Sequence, residues 1–311
     1  MIGAGAIGAF YGGVLARGGC EVSVVARSDY EVVAREGYRI ASRLGDLSFR
    51  PKRVLRQAEP GCDFVLMAVK LVRDVDRVAL LQPALARGTV IVLIANGIDV
   101  EDELAQAFPS HELLSGVAYA GVSREAPGRI RHRSPFTRLV IGSHPSGTSA
   151  ACLRFAEMVR AGGSSAQATE DIVLARWQKC AWNTVFNPLS ALGGGLGTRD
   201  ILGADASVRF VREAIAEVCA IARAAGHALA EDTVDKQISG TQRMGNYLSS
   251  MGQDALAGRP METEPLLGNA LRAARRLSVP APRLESLYAL LLMLERKASA
   301  ASDPPDRAGA A

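Results

Sequence analysis

No two cysteines in this sequence are spaced C-x-x-C, and the five present (Cys20, Cys62, Cys152, Cys180 and Cys219) stand far apart. That spacing suggests neither a zinc site nor a redox pair, and the odd count fits a reducing cytoplasm. The four histidines, His111, His132, His144 and His227, have no metal-type partner one helical turn away, so no metal site is expected. No apolar run reaches the roughly 18 residues of a membrane span, and no secretory signal is expected ahead of the first motif. Aromatic residues are only 5% of the chain, and the basic residues behind its net charge of +4 are scattered. Stretches such as RHRSPFTR at 131–138 are short, and without a clustered basic patch interleaved with aromatics nucleic acid is not an expected partner. What remains is an ordinary soluble composition, 48% hydrophobic and 22% charged, in 311 residues, enough for two domains.

A glycine fingerprint of the form G-x-G-x-x-G opens the chain at Gly3, Gly5 and Gly8. Such a loop follows a β-strand, feeds a helix and lays its N–H groups against a pyrophosphate. Here only Met1 and Ile2 precede it, so the first strand is expected to be cut short, with lost ladder bonds and low stability as the consequence. Short apolar runs follow: a valine-rich strand at 21–27, CDFVLMAVK at 62–70, GTVIVLIANG at 88–97, then 112–122 and 137–143. Continuous apolar strands buried on both faces argue for a parallel sheet covered by helices, with helices expected at 9–17 and 72–85. The βαβ alternation gives an α/β fold: an N-terminal Rossmann-type doubly wound parallel sheet, its first strand truncated.

Beyond about residue 150 the periodicity turns helical, apart from one short segment near SSAQAT, with helices expected at 150–161, 169–192, 206–225, 231–250, 265–277 and 282–298. The expected organisation is a nucleotide-binding domain over 1–167, an all-helical domain over 168–300 and a disordered tail over 301–311.

Three strand ends carry polar residues. The second strand ends at Arg27, which suits a ribose 2′-phosphate and so favours NADP; Asp29, two residues on, is the residue type that would suit NAD. Lys70 and Asn96 end the next two strands, where ligands of such sheets lie; a solvated helix start and a turn before Gly97 are the plainer explanations. In the helical region, EDIVLARWQKCAWNTVFNPLSAL at 170–192 is apolar on nearly every face, yet Lys179, Asn183 and Asn187 recur at i, i+4 and i+8. Asparagine is a poor helix former, so this stripe suggests a polar pocket rather than a narrow exposed face. Pro188 is expected to kink or end the helix just after Asn187. A lysine facing a cofactor cleft protonates the alkoxide that a ketone becomes when hydride reaches its carbon. A nearby carboxylate would keep that lysine charged, and the candidates are Glu262 and Glu264, either of which could instead serve the dipole of the following helix.

Together these residues resemble the ketopantoate reductase family. GAGAIG looks like its cofactor loop, VVAR, AVK and ANG its strand ends, and WQKCAWNTVFNPLSAL and SSMGQDALAGRPMETEPLLG its central and late signatures. The resemblance covers nearly the whole chain and implies NADPH/NADP+ as cofactor, held by Gly3, Gly5, Ala6, Ile7, Gly8, Arg27, Lys70 and Asn96. It implies Lys179 as general acid and Glu262 as the carboxylate that holds the lysine or the reacting hydroxyl. Asn96, Asn183, Asn187 and Ser250 would bind substrate, a 2-oxoacid in a cleft between the domains. The implied reaction is reduction of 2-dehydropantoate to pantoate in pantothenate and coenzyme A synthesis. Reduction of another branched 2-oxoacid, or NADP sensing without catalysis, are the alternatives, and a homodimer is left open. One departure is Gly197, within GGGLGT, where some members carry a further substrate-binding amide.

Overall fold

The protein, seen here as a computed structural model, is described over residues 1–43 and 45–302. It forms two compact units, Met1–Arg176 and a second from Trp177 onward. No helix among the described residues is long and apolar enough to cross a membrane.

The first unit is an open sheet covered by helices. Its parallel centre comprises β1 (Val24–Val25), β4 (Val54–Leu55), β5 (Phe64–Met67) and β6 (Val90–Ile94), with the start of β7 (Leu113–Ala126) alongside β6. The place between β1 and β5 is filled by Ile2, which bridges Val25 on one side and Met67 on the other, both in parallel. The expected first strand is therefore present but reduced to a single bridging residue. Its backbone is fully used: Ile2 N donates to Leu66 O at 2.8 Å, Ile2 O accepts from Ala68 N at 2.9 Å, and Met1 O accepts from Val25 N at 2.9 Å. Its side chain is 3% exposed and packs with Met67, Leu81 and Leu93. The spatial order β4, β1, Ile2, β5, β6, β7 reverses direction at Ile2, the arrangement of a Rossmann-type doubly wound sheet.

Past β7 the sheet becomes antiparallel. β8 (Arg129–Ser143) forms a long ribbon with β7, and a hairpin of β2 (Tyr38–Ser42) and β3 (Leu47–Phe49) adds to its start. β9 (Ala166–Ala168), in the segment expected to hold a strand, pairs with β8 in parallel. The basic stretch at 131–138 lies within β8. Its alternation is regular, with Ile130 and His132 buried and Arg129, Arg131 and Arg133 exposed.

The helices of this unit are α1 (Ala6–Arg17), α2 (Tyr30–Glu36), α3 (Arg77–Leu81), α4 (Asp102–Ala107) and α5 (Ala150–Ala161). α3 is shorter than expected because Asp76 caps it, accepting from Ala79 N at 2.9 Å, and Pro83 follows in a 3₁₀ turn over Gln82–Ala84.

α6 (Ile172–Leu192) runs from the first unit into the second. It does not end at Asn187: Pro188 lies inside it, removing one backbone bond while Val185, Phe186 and Ala191 remain buried around it. The rest of the second unit is α7 (Thr198–Ile201), α8 (Asp205–Ala224), α9 (Thr233–Arg243), α10 (Ser250–Leu256), α11 (Asn269–Arg276) and α12 (Pro282–Ser302). The single helix expected over 231–250 stops at Arg243, and a new one starts where the Ser249 hydroxyl accepts from Gly252 N at 3.1 Å. α11 is preceded by a π turn over Glu264–Gly268. Glu217 of α8 holds the start of α12, accepting from the backbone of Arg283 and Leu284 at 3.1 Å. Of the tail expected to be disordered, residues 301–302 close α12 and 303–311 lie outside the described residues.

The Ile2 bridge carries the centre of the first unit. Ile2→Ala is expected to lower its stability by about 2–5 kcal/mol, the usual cost of emptying a buried aliphatic site. Urea unfolding followed by circular dichroism measures it, and a change below about 1 kcal/mol would mean that the bridge is held by its hydrogen bonds alone.

Candidate functional site

Four candidate segments of the first unit follow the C-terminal ends of four adjacent parallel strands. The glycine loop follows Ile2, Arg27 lies two residues past β1, Lys70 three past β5 and Asn96 two past β6. Parallel register puts them all on one edge of the sheet, at the point where the strand order reverses. β5 and β6 stop before Lys70 and Asn96, so both residues are on loops rather than ending strands.

The three glycines are glycines for different reasons. Gly3 has φ +91°, and a Cβ there would meet the Ala68–Val69 peptide at 2.6 Å. A Cβ on Gly8 would stand 2.1 Å from Gly3 O, so the first turn of α1 lies directly on the loop. Nothing of the chain comes within 4 Å of a Cβ on Gly5, the N-cap of α1. Space is left open there, over the positive end of a twelve-residue helix whose first N–H groups, at Ala6, Ile7 and Gly8, have no intrahelical acceptor. Such a cradle accepts a phosphate whose oxygens approach the backbone.

Arg27 and Ser28 are exposed, whereas Asp29 is buried. One Asp29 oxygen accepts from the Arg124 guanidinium and the Ser28 hydroxyl, the other from Gly128 N at 3.2 Å. The carboxylate that would suit a free ribose hydroxyl is thus committed to the turn end of the β7–β8 ribbon. The exposed Arg124 pairs with Asp29, and Arg27, two residues earlier in the chain, is exposed.

Asn96 is half-buried between Ala95 and Gly97, and Gly97 has φ +102°. Arg176 of α6, a residue that sequence reasoning passed over, reaches this turn: its Nη1 donates to Ala95 O at 2.9 Å and to Gly97 O at 3.1 Å. Its Nε donates to a Glu101 oxygen and to Ser115 Oγ, which itself donates to Glu101 at 2.5 Å. Burial opposes a charge on Glu101, but the Arg176 guanidinium and the Ser115 hydroxyl outweigh it and hold the carboxyl below its usual range. These partners lie 61 to 81 residues from Arg176, and no local pattern announces them.

In the second unit the stripe on α6 is not an exposed face. Asn183 is 6% and Asn187 2% exposed, while Lys179 is half-buried. The apolar flank of the same helix is held by Trp182, whose ring stacks on Phe186 at 4.8 Å and whose N–H donates to Thr241 at 2.8 Å. Of the two glutamates, Glu264 is engaged by Arg272 at 2.8 Å and by the Tyr288 hydroxyl at 2.5 Å, which ties the π turn to α11 and α12. Glu262 lies just before that turn and is half-buried. Ser250 is exposed in the first turn of α10, and the neighbouring cap is Ser249. At Gly197 the side chain of Asn246 fills the space a Cβ would need, 2.0 Å away, while its oxygen accepts from Arg199 N at 3.1 Å.

Known proteins share this organisation. The profile of the ketopantoate reductase PanE/ApbA family matches residues 1–146, and the profile of that family's C-terminal part matches 171–295. The chain is 31% identical to a 2-dehydropantoate 2-reductase of Mesorhizobium japonicum, covering 94% of this chain and 96% of the relative. It is 29% identical to one of Nostoc sp., covering 95% and 94%. The crystal structure of 2-dehydropantoate 2-reductase from Methylococcus capsulatus superposes with a TM-score of 0.90 at 50% identity, covering 96% of each chain. With both units matched in sequence and in structure, the chain belongs to the ketopantoate reductase family and is an oxidoreductase.

Proposed function

We propose that the protein reduces 2-dehydropantoate to pantoate with NADPH. The observation that carries this reading is the stripe on α6: two buried asparagines in register with a half-buried lysine on a largely apolar helix, an arrangement suited to a polar ligand. The names of the full-length relatives support the substrate. The open space over Gly5 and the engagement of Asp29 by Arg124 and Gly128 support the cofactor and its 2′-phosphate.

Bound NADPH supplies hydride to the ketone carbon. The chain's residues handle the rest. Gly3, Gly5, Ala6, Ile7 and Gly8 cradle the pyrophosphate, and Arg27 and Lys70 neutralise phosphate charge. Asn96 would face both the nicotinamide and the substrate. Asn183, Asn187 and Ser250 hold the 2-oxoacid by hydrogen bonds. Lys179, as the ammonium, donates its proton to the oxygen on which negative charge develops, and Glu262 keeps that ammonium charged or orients the new hydroxyl. The chain's own amides and carboxylate thus bind and orient, its lysine moves the proton, and the redox equivalent comes from the cofactor.

Turnover of 2-dehydropantoate, against a panel of branched 2-oxoacids, tests the reading by the loss of NADPH absorbance. Lys179→Ala is expected to cut kcat by about 10²–10⁴ with NADPH affinity unchanged, and an undiminished kcat would remove the lysine from the chemistry. Arg27→Ala should weaken NADPH by about 10- to 100-fold, the worth of a charge-assisted contact, and leave NADH unaffected. Equal losses for both cofactors in fluorescence titration would deny it the 2′-phosphate. The glycines separate binding from folding. Gly5→Val should leave the melting temperature in place and weaken NADPH at least about 10-fold, whereas Gly8→Ala should lower stability by about 1–3 kcal/mol through overpacking. If Gly5→Val binds NADPH normally, the loop does not hold the cofactor.

A further inference from the structure

Arg176 is an expensive residue where it stands. It is 2% exposed and its partner Glu101 is 2% exposed, so two charges have been taken out of water. Replacing such a pair by apolar side chains of similar size is often neutral or stabilising, so stability alone does not explain it. Its Nη2 is also buried without a hydrogen-bond partner, a further desolvation cost.

What the guanidinium does instead is geometric. Nη1 holds Ala95 O and Gly97 O, the carbonyls on either side of Asn96. Gly97, at φ +102°, is the residue that would let this turn rotate. Nε is fixed in turn by Glu101, which begins α4, and by Ser115 of β7, whose register partner on β6 is Leu93, three residues before Asn96. The planar fork of an arginine suits this task, since it presents several donors at fixed angles; an ammonium presents a single point of charge.

We propose that Arg176 is a positioning residue: by gripping both carbonyls that flank Asn96 it fixes the 95–97 turn and thereby the placement of the Asn96 amide against the reducible carbonyl. The proposal rests on the reading above in which Asn96 meets substrate and nicotinamide. Arg176 itself touches neither.

The test uses the full chain with Arg176→Lys, which keeps a cation but has a single nitrogen and cannot hold the turn carbonyls and the Glu101–Ser115 pair at once, and with the matched pair Arg176→Met/Glu101→Gln, which leaves no buried unpaired charge. Expected in both is a fall in kcat for the 2-oxoacid of about 10- to 100-fold, the scale of a misplacement of about 1 Å. NADPH affinity should stay within about threefold, since its phosphates are held elsewhere. Amide hydrogen exchange confined to 95–98 should rise at least about 10-fold. A folded variant with unchanged kcat and unchanged exchange at the turn overturns the proposal. So does a loss of kcat that runs in parallel with NADPH affinity and with exchange throughout the unit, which is a structural role. The matched pair decides if Arg176→Lys does not fold. Should the unmutated protein turn over no 2-oxoacid, the functional reading fails by itself, and the exchange measurement alone then upholds or overturns the clamp on the turn.

Discussion

The first unit depends on the backbone of Ile2. Ile2 offers one N–H and one C=O, taken by Leu66 of β5 and by Ala68 just after it, while Met1 O takes the N–H of Val25. Those bonds, with that from the Met1 ammonium to Ser23 O at 2.7 Å, join β1 and β4 to the rest of the sheet; without them the two short strands have only each other. A two-stranded ribbon does not stand alone in water, so the sheet and the glycine loop are one construction. The loop starts at the residue after Ile2, and Gly3 is pressed against the Ala68–Val69 peptide that follows β5. The direction in which α1 leaves the sheet is set by this contact and by Gly8 lying on Gly3 O.

The same economy governs the charges at the strand ends. Asp29 and Glu101 are both buried carboxylates, and each is held by an arginine and by a neighbouring hydroxyl. Each also belongs to the loop after a parallel strand, where a ligand of such a sheet lies. Bound in this way, neither presents free negative charge to that edge. The edge keeps Arg27, Lys70 and the first N–H groups of α1, all suited to an anion.

The parts legible in the sequence were those with local causes. The three glycines, the presence of β1, β5 and β6 and the span of α5 follow from turn chemistry and from apolar periodicity, which act over a few residues. The parts that were not legible depend on distant neighbours. β4 is two residues long and exists because β1 lies beside it; α2 and the β2–β3 hairpin are too short for their periodicity to stand out. Pro188 predicts a break that burial overrides. The start of β8 was different, since Arg129, Ile130, Arg131, His132 and Arg133 alternate outward and inward. That period of two was present in the sequence, hidden by the density of positive charge.

For the candidate site, the sequence proposes residues and is silent on what holds the turn around Asn96. Lys179, Asn183 and Asn187 declare themselves because polar residues on an apolar helix are anomalous, and their burial follows from the apolar faces around them. Arg176 sits on the same helix three residues earlier and reads as one more surface cation until its partners are seen. The difference is physical. A ligand-binding group must be unlike its neighbours in sequence, because the surrounding helix is made for burial. A positioning group must be matched to partners that folding brings to it. The 95–97 turn needs such a partner because Gly97, which makes the sharp turn possible, also leaves it free to move. A flexible residue beside Asn96 and a rigid guanidinium across both adjoining carbonyls are two halves of one solution, and only the first half is written locally in the chain.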